Sequence, residues 1–193
     1  MQHGATVLKT RASRRAGFNL IEAAIVLGIV GLIVGGIWAA AGAAYENMRQ
    51  QNASKQLLAL VQGIRGFYAQ SPTDVIETDI GKLNDLGVLP ADMVIDAGGV
   101  KSLRHQWGGA VTIEDTTATY SIASFKVNFL NMKKDACRNF LTRSANVARG
   151  SGLLVVNSGS STVLDLMANS SDINTDVTCQ DNATPYFVFS LRG

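Results

Sequence analysis

Between Glu22 and Glu46 the chain carries no charge; residues 23–45 read AAIVLGIVGLIVGGIWAAAGAAY. As a helix rising about 1.5 Å per residue, this run spans about 34 Å, enough to cross a hydrocarbon core of about 30 Å. Lys9, Arg11, Arg14 and Arg15 precede it, with no acid among residues 1–17. That asymmetry predicts a cytoplasmic N-terminus and an exported remainder. The totals of 17 basic and 15 acidic residues conceal it. Without residues 1–17 the balance is 13 basic against 15 acidic, a net charge of −2 that does not suit a broad nucleic-acid-binding face. An apolar share of 47% excludes a disordered chain, and 193 residues make one domain, or one domain with a tail.

The apolar pattern changes character after Tyr45. Leu57, Leu60, Val61, Ile64 and Phe67 form one helical stripe, while Glu46, Arg49, Gln50, Lys55, Gln56 and Gln62 fill the other faces. No proline occurs before Pro72, so one continuous helix is expected from about Asn19 to about Tyr68, roughly 75 Å long. Its second half must pack on whatever follows.

Glu22 resists the reading of a simple anchor. A carboxylate at the mouth of an apolar span has a desolvation cost of a few kcal/mol unless a cation meets it. Cleavage before Phe18 creates a free amine about one helical turn away. In a stack of identical chains, the amine of an incoming subunit can pair with Glu22 of one already placed.

Arg14-Arg15-Ala16-Gly17-Phe18-Asn19-Leu20-Ile21-Glu22 resembles the processing site of type IV pilins and the related pseudopilins. The family pattern is a basic leader ending in Gly, then Phe, Thr, Leu, Ile, Glu and an apolar stretch; Asn19 is the one departure. The resemblance implies cleavage between Gly17 and Phe18 by a membrane prepilin peptidase, N-methylation of Phe18, and a role for Glu22 in methylation and subunit register. A Sec signal peptide cut near Ala39–Ala44, or a plain membrane anchor, is the rival reading from another class. Either would leave Glu22 without a purpose, and the signal-peptide cut would orphan the amphipathic half of the helix.

Gly28, Gly31, Gly35, Gly36 and Gly42 each disfavour the helix by up to about 1 kcal/mol relative to alanine. Gly31 and Gly35 have the small-xxx-small spacing that lets helices approach closely, so Gly28, Gly31 and Gly35 are candidate packing positions.

After Tyr68 the texture is globular. Ser71-Pro72-Thr73 ends the long helix; Asp79–Gly87 reads as a short helix capped by Asp79; 105–109 reads as a turn with Trp107 over the core edge. Strands are expected at 110–114, 119–125, 153–156, 162–166 and 185–191, and a helix at 131–146 capped by Asn131. The fold class is therefore α+β, with an antiparallel sheet on the amphipathic half of the long helix.

Cys137 and Cys179 are the only cysteines, and an oxidising compartment would pair them; two free thiols are the alternative. The tail resembles the type IVb branch, which includes toxin-coregulated pilins. There a strand, compared with Tyr120-Ser121-Ile122, precedes a helix bearing the first cysteine, and the second cysteine leads through a polar turn into an aromatic strand. The 17-residue leader fits that branch, whereas Phe18 departs from its habit.

No catalytic set is legible. Asp172-x-Asn174-x-Asp176 copies the opening of an EF-hand loop, but Val177 and Ala183 stand where glycine and a bidentate acid belong. Asn169-Ser170-Ser171 and Asn182-Ala183-Thr184 match a glycosylation triplet that chance often produces. No cofactor, metal or enzyme activity is expected. The resemblance implies a leader (1–17), a membrane and filament-core segment (18–45) and a head (46–193) of a structural pilus subunit. Its partners would be itself, prepilin peptidase, the inner membrane before assembly, and an assembly machinery driven by an ATPase. The filament would lie on the bacterial surface and serve adhesion, aggregation or conjugative contact, with the host-cell surface a further partner. A minor pilin or a type II secretion pseudopilin is the alternative within the superfamily.

Overall fold

Helix α1 (Leu20–Tyr68) opens the computed structural model, which describes residues 19–70, 75–168, 172–174 and 176–192. The chain divides into two compact units, one ending at Ala44 and one starting at Tyr45. In the second unit α1 buries Ala53, Leu57, Leu60, Val61, Ile64 and Tyr68. Phe67, expected in this stripe, is 40% exposed, and Tyr68 takes its place. Eleven residues from Leu57 make just over three whole turns at 3.6 residues per turn, which brings position 68 back into line and leaves position 67 to one side. Gln50 and Gln56, expected on solvent faces, are buried; the Gln56 amide donates to the Asp92 carboxylate at 2.5 Å.

Helix α2 (Ile80–Asp85) starts as its composition requires, with Asp79 Oδ1 accepting the Lys82 N–H at 3.0 Å. It ends at Gly87, φ +69°, and the following turn presses on α1. A Cβ on Gly63 would lie 2.1 Å from the carbonyl oxygen of Val88, so only glycine lets the chain pass there.

A seven-stranded antiparallel sheet follows, in the order β1-β2-β3-β4-β7-β5-β6. Its strands are β1 (Val94–Ala97), β2 (Val100–Arg104), β3 (Ala110–Asp115), β4 (Ser124–Phe129), β5 (Leu153–Asn157), β6 (Thr162–Asp165) and β7 (Tyr186–Ser190). The β1–β2 hairpin, absent from the sequence expectation, turns on Gly98-Gly99, both at positive φ. Such a two-residue turn between strands is a readable hairpin signal.

The strand expected at 119–125 begins instead at Ser124. Thr116 accepts N–H bonds from Thr119 and Tyr120, which coils Thr117–Tyr120 into a short helix, α3, and Ser121 then reverses the chain at φ 57°. Tyr120-Ser121-Ile122 is therefore connection, not strand. In β4, Phe125, Val127 and Phe129 face the core and alternate with Ser124, Lys126 and Asn128.

Helix α4 (Lys134–Ala148) also starts later than expected. Asn131 is not its cap: it adopts φ 59°, and Met132 exchanges two backbone hydrogen bonds with Ala183. The cap position falls to Lys133, which supplies no side-chain acceptor, and Asp181 Oδ1 accepts the Lys134 N–H at 3.3 Å instead. Ser54 of α1 and Ser144 of α4 share a buried hydroxyl contact of 2.9 Å.

Between helices and sheet, Phe129 meets Phe140 at 4.8 Å between ring centroids, and Phe140 meets Phe187 at 5.5 Å, both edge-on. Edge-on pairs of this kind contribute about 0.5–1.5 kcal/mol each beyond the area they bury.

Candidate functional site

Gly17 and Phe18 lie outside the described residues, so the N-terminal site is built from Asn19 onward. Asn19 Oδ1 accepts the Ile21 N–H at 3.3 Å and its carbonyl accepts the Ala23 N–H at 3.1 Å, which caps α1. Asn and Thr are both capping residues, so the departure from the family pattern keeps the chemistry of the position. That capping role was legible in the residue types and not drawn from them. Glu22 stands exposed in the first turn of α1, where the helix dipole favours a carboxylate. Among the described residues no ion pair reaches it.

Beyond Glu22 the apolar side chains have no cover; Leu32 is 79% exposed and Trp38 74%. Helix α1 contains a stretch long and apolar enough to cross a membrane, with none of it buried. A Cβ added to Gly28, Gly31 or Gly35 meets nothing within 4 Å, so no contact inside the described chain asks for glycine at these positions.

At the other end, Cys137 of α4 and Cys179 are joined, with sulfurs 2.04 Å and Cα atoms 6.2 Å apart. The disulfide, the Met132–Ala183 backbone pair and the Asp181 bond to Lys134 hold the closing segment on α4. In the EF-hand-like stretch, Asn174 N–H donates to the Val163 carbonyl of β6 and Asn174 Oδ1 accepts the Asp176 N–H. Among the described residues no group of three His, Cys, Asp or Glu could hold a metal ion.

A cleft of about 370 Å³ lies where α1, the 105–109 turn and the start of α4 meet, lined by Glu46, Arg49, Trp107, Lys133 and Asp135 among others. The Trp107 indole N–H donates to Glu46 Oε1 at 2.9 Å, and Arg49 lies over the Tyr45 ring. Behind Trp107, His105 is buried; its Nε2 is 2.8 Å from the Leu130 carbonyl and its Nδ1 accepts the Trp107 N–H at 3.2 Å. This arrangement needs the neutral imidazole with the proton on Nε2. Burial pushes the His105 pKa down, against a smaller upward pull from the Leu130 carbonyl. Both ring nitrogens are engaged by backbone, so this histidine holds the 105–109 turn against Leu130.

A family model described as PilS N terminal matches residues 46–190. The chain belongs to the PilS family of type IV pilins. A crystal structure of a type IVb pilin from Salmonella typhi is similar, with 15% identity and a TM-score of 0.48; the match covers 74% of this chain and 99% of that one. No curated protein matches the chain. Pilins are structural subunits, and the bare apolar helix of this one suits a membrane-anchored chain that later joins an extracellular pilus.

Proposed function

We propose that this pilin is made as a precursor, cut between Gly17 and Phe18, methylated on the new amine of Phe18, and then polymerised into a surface filament. The observation that carries the reading is the uncovered apolar half of α1, from Leu20 onward. So large an apolar surface is stable only in lipid or against copies of itself. A filament supplies the second environment when residues 18–45 of neighbouring subunits pack together. Lipid is as apolar as leucine, so leaving the membrane is favourable only with close helix contact and a pairing of Glu22 with a neighbour's amine. Glycines at positions 28, 31 and 35 with open space around them support close approach. The work of extraction comes from the assembly machinery, and the head forms the filament's outer surface.

The reading is tested by N-terminal sequencing of the mature chain together with the sheared surface fraction. The expected sequence starts at N-methyl-Phe18, and Glu22→Ala removes the protein from sheared filaments while leaving it in the membrane. Filaments built from chains that retain Arg14-Arg15 would end the proposal.

A further inference from the structure

The cleft beside Trp107 is lined from α1 by Glu46 and Arg49, the first charged residues after the uncharged run 23–45. A run that fills a hydrocarbon core of about 30 Å sets these two residues at the level of the lipid headgroups. Trp38 and Tyr45, both exposed, stand about two helical turns apart at the end of the run, as aromatic residues of a membrane interface do. Arg49 lies over the Tyr45 ring, 5.2 Å from its centroid, so its guanidinium turns back toward the run.

Helix α4 brings further charge to the same level. Asp135 lines the cleft with Glu46, and farther along the two helices Ser54 meets Ser144, so α4 runs beside α1 in the same direction. From Glu46 to Ser54 and from Asp135 to Ser144 the helices rise about 12 and 14 Å, which keeps their starting points side by side. The cleft walls therefore carry two cations, Arg49 and Lys133, and two acids, Glu46 and Asp135. Glu46 Oε1 is taken by the Trp107 indole, whereas its Oε2 is 3.9 Å from Arg49, a loose pair. Among the described residues Lys133 and Asp135 enter no ion pair. A volume of about 370 Å³ falls within the range of small-molecule sites.

We propose that this cleft holds the zwitterionic phosphoethanolamine headgroup of a membrane lipid before the subunit polymerises. Arg49 and Lys133 donate to the phosphate, while Glu46 Oε2 and Asp135 accept from the ammonium. The Trp107 ring walls the carbons between them. A simple anion or an anionic headgroup meets both cations but also opposes both acids, and a sugar leaves all four charges unpaired. A phosphocholine headgroup offers the carboxylates no N–H donor. The proposal rests on the reading of the chain as membrane-inserted before assembly, and it names the lipid chemistry met there.

The test uses the full chain, purified in detergent with an equimolar mixture of phosphatidylethanolamine, phosphatidylcholine and phosphatidylglycerol of identical acyl chains. Native mass spectrometry reads the lipid retained. Wild type is expected to retain phosphatidylethanolamine about tenfold or more over the other two. Arg49→Gln with Lys133→Gln is expected to lower that retention about tenfold, and Asp135→Asn to bring it level with phosphatidylcholine. Lys134→Gln with Arg138→Gln removes two charges outside the cleft and is expected to retain lipid like wild type. The oxidised disulfide and the thermal midpoint verify folding, and the wild-type selectivity needs no variant. Equal retention of the three lipids by wild type, a preference for phosphatidylglycerol, or folded cleft variants that retain lipid like wild type overturn the proposal. So does displacement of the lipid by inorganic phosphate as readily as by glycerophosphoethanolamine, which assigns the cleft to a free anion. The membrane reading fails separately, by recovery of wild-type chain in the soluble and not the membrane fraction of cells.

Discussion

Trp107 and Glu46 are joined by a 2.9 Å hydrogen bond that fastens the 105–109 turn to α1 across 61 residues of sequence. The indole N–H is a donor only, so it depends on this acceptor once the ring is packed against Phe140, 5.7 Å away between centroids.

Glu46→Ala leaves that donor without a partner, whereas Trp107→Phe removes donor and need together while keeping most of the ring contact. The expected losses are about 1–2 kcal/mol for Glu46→Ala and less when it is combined with Trp107→Phe than the two single losses summed. Urea unfolding of the full chain in detergent measures both, and strict additivity would refute a direct coupling.

His105 makes stability depend on pH. Its folded pKa lies below the ordinary 6.5 because burial disfavours the imidazolium. The unfolded chain therefore binds a proton that the folded chain refuses, and stability present above about pH 6.5 falls as pH drops below it. Protonation also removes the Nδ1 acceptor of the Trp107 N–H. The thermal midpoint is expected to fall between pH 7.5 and 5 more steeply in wild type than in His105→Gln; parallel curves would contradict this.

Gly63 and Gly66 lie one turn apart on α1 with opposite surroundings. Alanine at 63 drives a Cβ to 2.1 Å from the Val88 oxygen, while at 66 it meets nothing within 4 Å. Gly63→Ala is expected to cost about 1–3 kcal/mol through overpacking, and Gly66→Ala to stabilise by up to about 1 kcal/mol through helix propensity. Denaturation midpoints of opposite sign are the expected outcome.

The disulfide closes a separation of 42 residues between Cys137 and Cys179. Reduction is expected to cost about 4 kcal/mol in the chain-entropy description and to release the closing segment from α4 first. Hydrogen exchange at the Met132 and Ala183 amides, before and after reduction, reports that release.

The long helix and the uncovered span were legible without coordinates, because an uncharged run and a 3.6-residue stripe are properties of nearest neighbours along the chain. The same holds for the Asp79 cap and for the strands near 110–115, 153–157 and 186–190, which sequence reading placed within a residue or two. Asn19 shows a signal of the same local kind: the expected helix starts at this residue, and its side chain supplies the cap that the residue type announces.

What tertiary structure decided is where local preference was weak. Tyr68 and not Phe67 faces the core because helical drift over eleven residues is read out only against a packed sheet. Ser124 and not Thr119 starts β4, because backbone bonds to Thr116 coil the intervening residues before the strand finds its partner. Lys134 and not Asn131 starts α4, because Met132 is already spent on Ala183, a residue about fifty positions away.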